Sequence, residues 1–200
     1  MVDWLGLSIA VILQKPVFFP NLLAGIPMPP DQPSLEAKDD AIAFPPPRRV
    51  IASPEEAYFL TLQFLPQQRR SQAVLYEARG DRCQLVWQAA LPHEYGPRFG
   101  LVNDQGHIAL VDEWINVRSP RALTILDDTG STVAQFAYAD LRAAVGLSEA
   151  EILDRTQAGW WISDVPRLSG DGQRLIVGIG GQSIQANLST GQLEPSLSAN

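Results

Sequence analysis

The sequence predicts an all-β, antiparallel fold built from about three serial four-stranded units, and three observations point there. Residues 52–58, 101–108 and 168–175 each set a turn rich in Ser, Asp or Gly between two apolar runs. A second hairpin of similar size follows each of these turns. The turns at Ser53, Asn103 and Ser169 start 50 and 66 residues apart. Removing one helical insertion of roughly 20 residues restores a common period.

In chain order, residues 1–47 come first and hold nine of the 16 prolines. Proline lacks the amide donor and fixes φ, so this stretch is expected to be an extended arm of polyproline character. Trp4, Phe18, Phe19, Leu22 and Leu23 are its apolar anchors, and they must pack on this chain's sheets or on a partner. The apolar run from Trp4 to Leu13 is far shorter than the roughly 20 residues of a spanning helix. Asp3 stands where a secretory signal carries positive charge. Residues 22–25 resemble the run before the lipidated cysteine of bacterial lipoproteins, but Ile26 follows in place of a thiol. The arm therefore reads as mature protein or as a degraded export signal. No transmembrane span is expected, peripheral membrane contact through residues 4–26 stays open, and a cell-envelope or membrane-associated compartment is favoured over cytoplasm.

From Arg48 onward, short apolar runs alternate with turns. Residues 50–51, 58–62, 73–76 and 85–87 are the strands of the first unit, with Arg79-Gly80-Asp81 as its second hairpin turn. Residues 100–102, 107–111, 122–126 and 131–136 make the second unit. Its Asp127-Asp128-Thr129-Gly130 reads as a turn rather than a calcium loop, because a six- to eight-oxygen shell needs further ligands. Glycine after Asp or Thr supplies the positive φ of a tight hairpin. A helix over residues 139–145 stops at Gly146. Ser148 and Glu151 form a capping box that opens a second helix, from about Glu149 to Gln157. Leu141, Val145, Ile152 and Leu153 form the predicted sheet-facing side. Residues 174–177 and 184–188, closed by 189–193, make the last unit. The organisation is thus an arm over 1–47 and one all-β domain over 48–200, with a helical insertion at about 139–158.

The Ser53-Pro54-Glu55-Glu56-Ala57-Tyr58 turn resembles a worn Ser-Pro-Asp-Gly-Lys-Tyr turn of TolB- and WD40-like β-propellers. Asn103-Asp104-Gln105-Gly106 and Ser169-Gly170-Asp171-Gly172 are similar to it. The resemblance covers residues 48–194 in three blades and implies a propeller-like array. Propellers close with about four to eight blades, so three blades form an incomplete one. The exposed edges must be covered by the arm and helices, meet edge to edge in a dimer, or curl into a β-sandwich, which is the alternative fold. The resemblance implies no particular function.

The net charge of −7 and pI near 4.8 argue against a nucleic-acid partner, since phosphate binding needs clustered Lys and Arg. The pairs Arg48-Arg49 and Arg69-Arg70 read as solvated strand ends. Cys83 is the only cysteine, and neither a neighbouring histidine nor a helix N-terminus activates it.

The densest polar and aromatic cluster runs from Asp112 to Ser119, after an apolar strand. Read as a polar site, Asp112, Glu113 and Asn116 lie at a sheet rim beside Trp114, a stacking or partner-anchoring surface. Neighbouring strand residues point to opposite faces, however, so the two carboxylates diverge, which is poor geometry for paired acid/base work. The favoured reading has Trp114 and Ile115 closing the core. Trp160 and Trp161 follow a helix stop, and packing is favoured there over an interaction hot spot. His93 and His107 read as loop or strand-surface residues, with no ligand spacing for zinc. No nucleophile elbow, phosphate loop or dinucleotide fingerprint is present, and no catalytic residue, cofactor or metal is assigned. Asn187-Leu188-Ser189 matches a glycosylation acceptor.

These residues favour a non-catalytic binding or scaffold domain. Its partner is another protein or a second copy, met through Trp4, Phe18 and Phe19 of the arm and Trp114, Trp160 and Trp161 of the rim. A hydrolase or lyase using Asp112, Glu113, Tyr95 and a histidine is the alternative from another class. An accessory subunit of a membrane-associated complex is a third.

Overall fold

The computed structural model describes residues 45–114, 118–156 and 161–195. The first sheet contains β1 (Arg48–Ala52), β2 (Tyr58–Leu65), β3 (Arg70–Arg79) and β4 (Arg82–Leu91). The second contains β5 (Pro97–Val102), β6 (Ile108–Glu113), β7 (Leu123–Leu126) and β8 (Thr132–Phe136). Two helices follow, α1 (Tyr138–Val145) and α2 (Glu149–Arg155). The third sheet contains β9 (Ile162–Leu168), β10 (Arg174–Ile179), β11 (Gln182–Asn187) and β12 (Leu193–Pro195). Every sheet holds its strands in chain order, and every paired neighbour is antiparallel. The first strands of the sheets, β1, β5 and β9, run next to one another. The fold is an incomplete propeller-like array of three sheets, and the two-sheet sandwich is set aside.

The repeated turns share one hydrogen-bond plan. Ser53, Asn103 and Ser169 donate their amides to the carbonyls of Tyr58, His107 and Arg174, at or one residue before the start of the following strand, and accept the amides of the same residues on their side chains. The fourth turn residue is left-handed in all three: Glu56 at φ 57, Gly106 at 80 and Gly172 at 68. The turns are also tied in series. Glu55 N–H donates to Asp104 Oδ1 at 2.8 Å, and Asn103 Nδ2 donates to the Gly172 carbonyl at 3.0 Å. All three therefore gather on one rim.

Strand alternation feeds two cores. Leu60, Leu62, Ala73 and Leu75 meet Val102, Ile108, Leu110 and Leu126 between the first and second sheets. Ala109, Val111, Leu123 and Ile125 meet Leu175, Val177, Ile179, Ile184 and Trp161 between the second and third. Leu141 and Ile152 bring both helices onto this second core. The Ser148–Glu151 capping box is present, and Gly146 ends α1 in the left-handed conformation. Leu153 departs from expectation: it is 40% exposed, because Ile152 alone of the two faces inward in the short α2. β9 was not expected, since Ser163, Asp164, Pro166 and Arg167 break its apolar alternation.

The outer hairpins repeat as well. Asp127 Oδ1 accepts from the amides of Thr129 and Ser131, and Asn187 Oδ1 accepts from the amides of Ser189 and Thr190. In both places Asx-turn chemistry accounts for the motif. A β-carbon on Gly130 would lie 2.9 Å from Trp87 of β4, and one on Gly191 would lie 2.4 Å from Ala134 of β8. The hairpin between the third and fourth strands of the second sheet thus seats on β4, and that of the third sheet on β8.

Candidate functional site: a rim cleft around Trp114

The rim opposite the repeated turns is formed by the β4–β5 connection, the end of β6 and the start of β7. A cleft of about 350 Å³ opens there, lined by Pro92, Glu94, Tyr95, Glu113, Trp114, Pro120 and Arg121. It sits at the lower end of the usual range for ligand sites, roughly 300–1,000 Å³.

Backbone geometry at Asp112 sets the cleft wall. Ile108 and Leu110 face the first core, so plain alternation would point Asp112 the same way. Asp112 instead has φ 60, and its side chain lies with Trp161 of the second core. Trp161 Nε1 donates to Asp112 Oδ1 at 3.2 Å, and Arg98 Nε lies 3.6 Å from Oδ2. Burial pushes the Asp112 carboxyl up to about 6, against the opposing pull of Trp161 and Arg98. Glu113 takes other partners. Ser119 Oγ donates to Glu113 Oε2 at 2.5 Å, and Arg121 Nη1 donates to Oε1 at 3.4 Å.

Trp114 is half-buried and flanked by two guanidinium groups, Arg49 at 5.6 Å and Arg98 at 5.8 Å from its ring centre. Arg98 Nη2 also donates to the Trp114 carbonyl at 3.2 Å, and Arg49 donates to the carbonyls of Pro97 and Arg98. Each cation–π contact contributes about 0.5–1 kcal/mol at such a site and fixes the ring plane. On the facing wall, Arg69 binds Glu94 at 2.6 Å and the Tyr95 hydroxyl at 2.7 Å, while Phe64 lies 5.6 Å from the Tyr95 ring. His93 is fully buried behind this wall, and neither ring nitrogen has a hydrogen-bond partner. Burial pulls its pKa down to about 4, with Glu113 opposing, so the ring is neutral at pH 7.

The structure brings Tyr95, Glu113 and Trp114 together and leaves the other expected residues elsewhere. Trp161 is 1% exposed and offers no surface to a partner, because its indole completes the second core. Asp112 is buried behind the rim. His107 lies at the far end of β6, by the repeated turns, and His93 is a core residue rather than a surface one. Trp4, Phe18, Phe19, Asn116 and Trp160 lie outside the described residues. The Arg48-Arg49 pair is also corrected, since Arg49 is a half-buried clamp between the first two sheets. Its parity was readable: Arg49 shares a strand face with core-facing Ile51. Arg98, Ser119 and Arg121 carried no such signal. Among the described residues no group of three or more His, Cys, Asp or Glu is placed to hold a metal. Nor is any helix among them long and apolar enough to cross a membrane.

No family model matches the chain, and no curated protein matches it. Among solved structures it is similar to an oligogalacturonate lyase in complex with manganese, with a TM-score of 0.42 and 9% identity. The match covers 76% of this chain and 42% of that one, so the chain spans less than half the length of that lyase. A likeness this slight carries neither activity nor metal across. The architecture is that of an all-β, propeller-like array of three four-stranded sheets.

Proposed function

We propose that the chain is a non-catalytic binding domain whose described recognition surface is the rim cleft, with Trp114 as its anchor for a segment of a partner protein. The observation that carries this reading is the clamped indole. An aromatic side chain held half-exposed by Arg49 and Arg98 loses little rotamer freedom on binding, which is the usual character of an interface anchor. Pro92, Tyr95 and Pro120 extend the apolar floor, and Glu94, Glu113 and Arg121 supply both signs of charge at its margin. Glu113 already accepts from Ser119 and Arg121, and Asp112 is enclosed, so neither carboxylate stands ready as a general base. The arm anchors Trp4, Phe18 and Phe19 belong to the same proposal, as a second contact region within residues 1–47, in addition to the cleft of the domain over 48–200.

The test is quantitative affinity purification with the full chain and with Trp114→Ala, each checked for an unchanged melting temperature. A protein recovered by the parent and reduced at least tenfold by the variant supports the reading. Identical recovery by both chains refutes the cleft as the recognition surface.

A further inference from the structure

We propose that the partner segment seated in the rim cleft carries an acidic side chain, held in a second pocket by Arg118 and Arg142. This inference rests on the cleft reading above and adds the chemistry of its occupant. The second pocket, also about 350 Å³, is lined in part by Arg118, Ser119, Pro120, Tyr138, Arg142 and Glu149. Pro120 is exposed and lines the Trp114 cleft as well, so the two pockets meet at one proline ridge.

A single buried residue fixes that ridge. Ser119 Oγ donates to Glu113 Oε2, in the wall of the first pocket, and accepts from the Arg121 amide at 2.8 Å. Its carbonyl accepts from the amide of Tyr138, the first residue of α1, at 3.0 Å. The wall of one pocket and the helix that carries Arg142 are thus tied to the same serine. An extended segment that stacks on Trp114 and crosses Pro120 meets both pockets at a set spacing. Preorganisation of this kind lowers the ordering cost of a bound peptide.

The two pockets differ in charge. In the first, Glu113 faces Arg121 and Glu94 faces Arg69. In the second, two guanidinium groups stand with one carboxylate. Glu149 pairs with Arg118 and lies 4.0 Å from Arg142, which has no other ion pair among the described residues. Tyr138 lies in the same field. Burial and Glu149 raise its pKa, against Arg142 and Arg118, so the phenol keeps its proton at pH 7. A carboxylate suits two guanidinium groups, because each planar fork aims parallel donors at its two oxygens. Clusters of arginine read acidic motifs by this chemistry. Like-charge repulsion from a chain of net charge −7 works against other seats for the same segment.

The test pans a phage-displayed library of random linear peptides against the full chain. Trp114→Ala, the double variant Arg118→Gln with Arg142→Gln, and Glu149→Gln are panned alongside, each checked for an unchanged melting temperature. The parent is expected to select an aromatic or proline residue together with Asp or Glu at a constant offset. By fluorescence anisotropy, the double variant is expected to bind the best selected peptide about fivefold more weakly or worse. Glu149→Gln, which removes the competing carboxylate, is expected to bind it about two- to fivefold more tightly. Peptides without an acidic preference, whose binding Trp114→Ala abolishes, overturn the proposal and leave the cleft reading standing. An acidic preference that the double arginine variant retains also overturns it. So does self-association of the parent that the double variant loses, which puts a second copy in the pocket. No enrichment by the parent, or enrichment that Trp114→Ala leaves untouched, removes the cleft reading and this proposal with it.

Discussion

Glu55 donates its backbone N–H to the carboxylate of Asp104 at 2.8 Å, joining two turns that lie 49 residues apart in the chain. A second tie, from the Asn103 side chain to the Gly172 carbonyl, spans 69 residues. Equivalent turns bonded in series are what make three local four-strand units into one array, and that equivalence exposes where the copies differ.

Glu56 is the odd residue at the left-handed turn position that Gly106 and Gly172 fill elsewhere. A side chain there costs about 1–2 kcal/mol of backbone strain, partly offset by the lower unfolded-state entropy of a non-glycine residue. Glu56→Gly is expected to stabilise the protein by roughly 0.5–1 kcal/mol, read as a higher urea midpoint at unchanged slope. Gly106→Ala is expected to do the reverse, because its β-carbon would lie 3.1 Å from the Tyr58 ring.

Gly130 is needed for space as well as for conformation. With φ 82 and the Trp87 ring 2.9 Å from its β-carbon position, Gly130→Ala is expected to cost about 1–3 kcal/mol in chemical denaturation. Trp87→Ala would open that space, so the double variant is expected to be less destabilised than the sum of the two single ones.

Thr124 is 2% exposed and its Oγ1 has no hydrogen-bond partner. Replacing a buried, unsatisfied hydroxyl by a methyl group of the same shape removes a desolvation cost of about 1–3 kcal/mol. Thr124→Val is therefore expected to raise the melting temperature.

His93 and Asp112 place opposite pH dependences on folding in overlapping windows. The folded His93 pKa, about 4, lies below its usual 6.5, so the unfolded chain binds the extra proton and stability falls as pH drops through that interval. The folded Asp112 pKa, about 6, lies above its usual 3.8, so the folded chain binds the extra proton and stability falls as pH rises through that interval. Between pH 4 and 6 the two oppose each other. Asp112→Asn retains an acceptor for Trp161 and a residue that tolerates positive φ. It is expected to expose a loss of stability on acidification from pH 6.5 to 4, measured by urea midpoints, that is muted in the parent.

Alternation, Asp-Gly and Ser-Gly turns and the Ser148–Glu151 capping box made the sheets, their order and both helices readable from sequence. These signals are local, and the hydrogen bonds that answer them are local too. β9 escaped because Ser163, Asp164, Pro166 and Arg167 break the apolar alternation by which the other strands are read. The rim cleft was half readable. Glu113, Tyr95 and Trp114 stood out by type, but the turn of Asp112 into the second core depends on a left-handed residue inside a strand. The Arg49–Trp114–Arg98 stack joins β1, β5 and the end of β6. No spacing rule links three segments that meet only after the first and second sheets have packed.

The most direct measurement is a nuclear Overhauser spectrum of the folded chain, read between the Trp87 indole protons and the α-protons of Gly130. If the outer hairpin of the second sheet seats on β4, those cross-peaks are strong and the Gly130 α-protons are shifted by the ring current of Trp87. An unshifted Gly130 with no cross-peak to Trp87 would contradict the serial stacking of the sheets.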